Sequence, residues 1–229
     1  MLQLVIGNKN YSSWSMRPWV LMRQCGIPFD EIKLRFDRLT YSPDSAFYRA
    51  LAQYTPVAKV PVLLIDGFAV WDTLAIAEAL ADHHRDLALW PKDVLQRARA
   101  RSLCAEMHAG FGALRSHCPM NIEAALPEVG ARVLAEQATV RDDLARIDAI
   151  WSEQLAASGG PFLFGAFTAT DAYFAPVCSR IRTYALPVAP AVGAYVERML
   201  ALPAMQRWVA NALSEHDWLD EDEPYRSKA

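Results

Sequence analysis

Leu2-Gln3-Leu4-Val5-Ile6 is almost wholly apolar, which predicts a first strand in the middle of a sheet, covered on both faces. Ser15 to about Gln24 then repeats its apolar positions at helical spacing and predicts a first helix. Gly26 follows as its C-terminal cap and Pro28 as a stop. In Glu31 to Phe36 the apolar residues Ile32, Leu34 and Phe36 alternate with charged ones, the mark of a second strand with one wet face. Ser42-Pro43 predicts the opening of a second helix that reaches about Gln53. Val62 to Ile65 reads as a third strand, Asp66-Gly67 as a hairpin turn and Phe68 to Trp71 as a fourth strand. A third helix is expected over Thr73–Ala81, with Asp72 as its N-cap.

That β-α-β-α-β-β-α order ends at His83 to Lys92, where Trp90-Pro91 breaks the pattern. Beyond it the periodicity is helical. Long helices are expected over Asp93 to about Leu114 and Glu128 to Leu155. Ser158-Gly159-Gly160-Pro161 is a turn and Phe162 to Gly165 an apolar connector. Thr168-Ala169-Thr170-Asp171 opens a helix reaching about Tyr184, as a capping box with Asp in place of Glu. Shorter helices are expected over Val188–Leu200 and Ala204–Leu213. The tail from Glu215 is acidic, with Trp218 its main apolar anchor. The expected organisation is an α/β domain over 1–82, a linker over 83–92 and an all-helical domain over 93–229.

Composition narrows the class. In 229 residues, 53% hydrophobic and 21% charged content allow a sizeable core and argue against disorder. A net charge of −3 with no basic block argues against nucleic acid as a partner. No apolar run has bilayer length, and a strand-like run follows Met1 directly, so neither membrane nor export is expected. Cys25, Cys104, Cys118 and Cys178 form no CxxC pair, which suits free thiols in a reducing cytoplasm. The five histidines have no metal-ligand spacing, and no metal is expected.

The candidate chemistry lies at three places. Ser12, Ser13 and Ser15 stand at the turn between the first strand and first helix, where unpaired N–H groups and the helix dipole favour an anion such as a thiolate. A plain capping serine fits the same residues. Pro61 precedes the third strand. If its bond is cis, the backbone of Val60 is free to pair with an extended peptide-like ligand; an ordinary trans proline fits as well. Asp72-Thr73 at the start of the third helix suits the carboxylate and ammonium of an amino-acid end, or a simple cap.

Taken in order, these segments resemble the cytosolic glutathione transferase family over essentially the full chain. Ser12-Ser13-Trp14-Ser15-Met16-Arg17 resembles the zeta-class motif serine-serine-cysteine-serine-x-arginine. Thr55 to Leu63 resembles the segment ending in valine-proline-x-leucine, Trp71 to Ile76 the segment that holds the γ-glutamyl end, and Thr168 to Asp171 the capping box of the helical domain. The resemblance implies a thioredoxin-like N-terminal domain, an all-α C-terminal domain, glutathione as cosubstrate, and a homodimer in the cytoplasm. It implies Ser12 as the catalytic hydroxyl, with Ser13 and Ser15 as alternates. For glutathione it implies Ser12, Ser13, Arg17, Lys59, Val60, Pro61, Asp72 and Thr73. The sequence departs from the zeta motif at Trp14, which stands in place of the cysteine.

A second substrate, a small apolar electrophile, is expected against Tyr11, Trp14, His108, Phe111 and Arg115, although interhelical packing accounts for the last three equally well. Conjugation of that electrophile is the leading expectation. The alternatives are a maleylacetoacetate-type cis–trans isomerase, a glutathione-dependent lyase or dehalogenase, and a protein that binds glutathione or an apolar ligand without turnover. A glutaredoxin-like thiol oxidoreductase is disfavoured because the motif holds no cysteine.

Overall fold

The computed structural model of the chain describes residues 1–228. Its sheet comprises β1 (Leu2–Ile6), β2 (Asp30–Lys33), β3 (Val62–Ile65) and β4 (Phe68–Val70), in the order β2-β1-β3-β4. β1 runs parallel to β2, with Val5 opposite Ile32, and antiparallel to β3, with Leu4 opposite Leu63. β3 and β4 are joined at Asp66-Gly67, both at positive φ, the mirror-image turn that matches strand twist. Alternation along β1 divides its side chains between two cores. Val5 faces Phe47, Leu51 and Val62, whereas Leu4 and Ile6 join the main core with Met16, Val20 and Ile76.

Three helices cover the sheet: α1 (Ser13–Gln24), α2 (Ala46–Leu51) and α3 (Thr73–His83). α1 ends as expected at Gly26, φ +72°, where the Ile27 N–H reaches the Met22 carbonyl at 2.9 Å in a Schellman closure. α2 is shorter than expected. Ser45 rather than Ser42 is its cap, accepting from the Tyr48 N–H at 3.2 Å, while Asp37 accepts from the Ala46 N–H at 2.8 Å. β2 is also shorter. Past Leu34 the chain leaves the sheet, because the Phe36 N–H donates to the Asn8 side chain at 2.6 Å.

The rest of the chain is helical: α4 (Val94–Ala109), α5 (Gly112–His117), α6 (Pro127–Glu136), α7 (Ala138–Ser158), α8 (Ala169–Tyr184), α9 (Pro190–Leu200) and α10 (Pro203–Leu213). Both long helices expected here are each broken in two. The first stops at Gly110 and turns at Phe111, whose backbone is left-handed (φ +56°) and whose ring is buried. Asp143 of α7 then accepts from the Leu114 N–H at 2.9 Å, giving α5 an acceptor for its first turn. The second breaks at Gln137, which is extended.

α8 is the central helix of this half and packs on α1, α4, α6 and α9. The expected capping box opens it: Asp171 is fully buried and accepts from the Thr168 N–H at 2.8 Å. Gly130 lets α6 rest on the end of α8, since a Cβ there would lie 1.9 Å from the Tyr184 carbonyl oxygen. The tail beyond α10 is acidic, as the sequence shows, but Trp218 is not its main anchor. Leu219, Glu215 and Glu223 are buried instead. Cys25, Cys104, Cys118 and Cys178 are free thiols. Among the described residues no helix is long and apolar enough to cross a membrane, and no group of side chains suits a metal ion.

Candidate active site

A cleft of about 660 Å³ opens where the sheet's loops meet the helical half, a size that suits a peptide-sized ligand. Ser12 lies at its edge as the N-cap residue of α1, yet its side chain caps nothing. The Ser12 hydroxyl instead donates to Ser15 Oγ at 2.7 Å, and Ser15 Oγ accepts from the Gly7 N–H at 3.2 Å. Ser12 and Ser13 line the cleft, while Ser15 is fully buried behind them. The Ser13 N–H is taken by the Tyr11 carbonyl at 2.8 Å, so the helix offers the cleft the positive end of its dipole and a hydroxyl not consumed by capping.

The loop that carries these serines is polar but buried. Asn8, Lys9 and Asn10 are each 3% exposed or less. Lys9 Nζ pairs with Glu31 at 2.5 Å over the Trp19 and Trp208 rings. The tail supplies the remaining partners. Glu215 accepts from the Lys9 N–H at 2.7 Å, and Asp217 accepts from Asn8 Nδ2 at 2.6 Å. Neither contact has a signal in the local sequence, since the partners lie about 200 residues apart.

In the same cleft, the Val60-Pro61 bond is cis, as is Trp71-Asp72. Lys59, Val60 and Pro61 line the cleft, and the Val60 N–H and carbonyl have no partner among the described residues. Asp72 caps α3 as expected: its Oδ1 accepts from the Leu74 N–H at 3.1 Å and the Thr73 hydroxyl at 3.2 Å. Its other oxygen lies 3.4 Å from His108 Nε2 of α4. Thr73 is tied to the helical half through the Tyr173 hydroxyl of α8 at 2.5 Å.

Arg17 does not line the cleft. It is buried beneath Trp14, with its guanidinium carbon 3.8 Å from that ring's centroid and its Nε donating to the Tyr173 carbonyl at 2.9 Å. Burial, against a raising influence of Tyr173 and with the added positive charges of Arg180 and Arg115, brings its pKa down to about 9. Of the residues expected around a second substrate, Tyr11, Trp14, His108 and Arg115 line the cleft, and His108 lies 5.0 Å from Trp14 between ring centroids. Phe111 does not: the chain reversal at that residue turns its ring into the core. Phe36, Tyr48, Trp71, Met120, Arg180 and Asp222 also line the cleft and carry no local sequence signal for it.

A four-stranded mixed sheet with its serine turn, joined to a bundle built around one capped central helix, defines the glutathione-transferase architecture: a thioredoxin-like half followed by an all-helical half. Residues 11–83 match the N-terminal domain, and residues 96–211 the C-terminal domain, of glutathione S-transferase. The chain belongs to the glutathione S-transferase family. A probable maleylacetoacetate isomerase from Caenorhabditis elegans is 38% identical over 66 residues, 29% of this chain and 31% of that protein. The match thus spans about a third of that relative's length. A glutathione transferase homologue from Burkholderia gl BGR1, solved with bound glutathione, superposes with a TM-score of 0.70 at 22% identity, covering 93% of this chain and 98% of that one. A glutathione transferase from Methylococcus capsulatus superposes with a TM-score of 0.67 at 21% identity, covering 93% and 100%.

Proposed function

We propose that this chain activates glutathione as a thiolate and adds it to a small electrophile. The observation that carries the reading is the Ser12 hydroxyl, free of any capping role, at the α1 N-terminus and on the cleft. A hydroxyl donating to sulfur favours the thiolate, and the helix end adds to that preference. Lowering a thiol pKa by about two units shifts the balance by roughly 2.7 kcal/mol and makes most of the thiol ionised at neutral pH. Hydroxyl hydrogens rotate, so Ser15 can donate to Ser12 Oγ once Ser12 turns its own hydrogen to the sulfur.

In this reading the Val60 N–H and carbonyl pair with the cysteinyl backbone, and Asp72 with Thr73 holds the γ-glutamyl end. Lys59 takes the glycine carboxylate. Arg17 acts from below, supporting Trp14 rather than touching glutathione. The electrophile occupies the space against Tyr11, Trp14, Met120 and Arg115. Family likeness and the exposed side chains of Phe68, Trp71, Val94 and Leu95 support a homodimer, which a solution mass measurement tests.

Retention on immobilised glutathione, followed by turnover of an aryl halide, tests the reading. Retention without turnover of any electrophile points to a binding protein instead. The likeness to a probable maleylacetoacetate isomerase favours a second reading, glutathione-dependent cis–trans isomerisation. In that chemistry glutathione is itself the nucleophile, so Trp14 in the cysteine position does not forbid it. Assay with maleylacetoacetate separates the two.

A further inference from the structure

Asp72 and His108 meet across the two halves of the cleft, and both line it. They are held unequally. Asp72 is fixed by its cap: Oδ1 accepts from the Leu74 N–H at 3.1 Å and from the Thr73 hydroxyl at 3.2 Å, which leaves Oδ2 for the cleft. His108, in the last turn of α4, meets one polar group through its side chain among the described residues, with Nε2 3.4 Å from Asp72 Oδ2. Its Nδ1 is buried with no partner. α4 ends at Gly110 and the His108 side chain is 38% exposed, so the ring has room to turn.

The same ring packs on Trp14, with centroids 5.0 Å apart and planes tilted by 58°. Trp14 rests on the Arg17 guanidinium, 3.8 Å from the ring centroid, and Arg115 lies 5.5 Å from it. Arg17 Nη1 and Nη2 have no hydrogen-bond partner, so the contact with Trp14 is one of cation and ring face. One imidazole thus touches both the carboxylate read above as the γ-glutamyl anchor and the indole read above as a wall for the electrophile.

We propose that His108 is a positioning residue that acts as a glutathione-responsive gate over Trp14. The γ-glutamyl ammonium takes Asp72 Oδ2, His108 leaves it, and the Trp14 face that the imidazole covered opens to the second substrate. The proposal rests on the transferase reading above, with Asp72 as anchor, and adds to it the residue that makes the second pocket respond to the first ligand. An ammonium bonds a carboxylate at about 2.8 Å, and that short charge-assisted bond outcompetes a contact of 3.4 Å, near the long limit of hydrogen bonding. Asp72 does not yield instead, because moving its carboxylate uncaps α3. Displacement leaves a signature in affinity. Breaking the His108 contact opposes glutathione binding, so removing His108 should tighten it. An ion-pair contact this exposed corresponds to about a twofold to fivefold change in Kd.

Calorimetry with S-methylglutathione and with its desamino analogue, which keeps the peptide and lacks the ammonium, tests the gate. His108→Ala should bind S-methylglutathione about two- to fivefold more tightly than the parent, and the desamino analogue with parental affinity. His108→Gln, which keeps a side-chain donor, should stay near the parent for both. NMR of the parent labelled in histidine and tryptophan reads the motion itself. Through-space proton cross-peaks between the His108 and Trp14 rings, present in the free chain, should vanish at saturating S-methylglutathione and persist with the desamino analogue. Cross-peaks that survive S-methylglutathione overturn the gate and leave the transferase reading standing. So does weaker binding of both ligands by His108→Ala, the mark of a structural prop. A parent that binds no S-methylglutathione overturns both.

Discussion

The Tyr11 hydroxyl donates to Glu223 Oε1 at 2.7 Å, joining the residue just before the serine motif to a carboxylate 212 positions later. Glu223 also accepts from Asn121 Nδ2 at 2.8 Å and from Arg226 Nε at 2.8 Å. The tail is thereby a wall of the cleft and a brace for the loop that positions Ser12.

This brace should fail in acid. Burial raises the Glu223 pKa, but hydrogen bonds from Arg226, Tyr11 and Asn121 together hold it below the ordinary 4.5. A carboxylate with a lowered folded pKa contributes stability that is complete above 4.5 and is lost as pH falls through the folded value. Hydrogen exchange in residues 215–226 should accelerate on descent into that range, before global unfolding. Glu223→Gln should exchange fast already at neutral pH. Equal protection of parent and variant at all pH values would refute the brace.

Ser12→Ala should lower turnover by about one to three orders of magnitude with little change in glutathione affinity, because the hydroxyl acts on the thiolate and not on the peptide. It also leaves Ser15 Oγ with only the Gly7 N–H for company. Steady-state kinetics beside calorimetric glutathione binding measures both quantities. Full turnover in Ser12→Ala with loss in Ser13→Ala would move the role to Ser13, which shares the cleft.

Asp72→Ala should raise the glutathione Kd by about tenfold or more, with maximal turnover reduced less. A charge-assisted bond to the γ-glutamyl ammonium is worth about 1.5–3 kcal/mol, and tenfold needs only about 1.4. Asp72 Oδ1 also caps α3 through the Leu74 N–H, so Asp72→Asn is the sharper probe: it keeps the cap and removes the charge. Tight binding by a folded Asp72→Asn would leave the carboxylate as a cap alone.

Asp171→Ala should destabilise the helical half far more than Thr168→Ala. Loss of the Thr168 cap costs about 1 kcal/mol. Removing Asp171 strips acceptors from the Thr168 N–H, the Leu163 N–H and the Tyr195 hydroxyl, all buried. At about 1–3 kcal/mol for each buried donor left unsatisfied, the loss should exceed about 3 kcal/mol. Denaturant unfolding monitored through Trp151, which packs on Tyr195 at 4.9 Å, reads it directly. Equal losses in the two variants would show that Asp171 is no more than half of a cap.

What the sequence determined by itself is local. The β3–β4 turn follows from Asp66-Gly67, the end of α1 from Gly26, the start of α3 from Asp72, and the start of α8 from Thr168 and Asp171. Each depends on backbone groups a few residues away, so neighbouring letters carry the signal. The serine turn was legible for the same reason. Tertiary structure decided the rest. Periodicity ran unbroken through Gly110-Phe111 and Gln137, but Asp143 offered Leu114 an acceptor from another helix, and the helix ended where that bond could form. Nothing local in the sequence marks any acidic residue at 215–223 for burial, yet Glu215 and Glu223 are buried because Lys9, Asn10, Tyr11 and Asn121 present donors to them. Arg180 and Asp222 share a wall of the cleft for the same reason: a carboxylate or guanidinium goes where long-range packing brings it a partner or a ligand, and no spacing along the chain encodes that meeting.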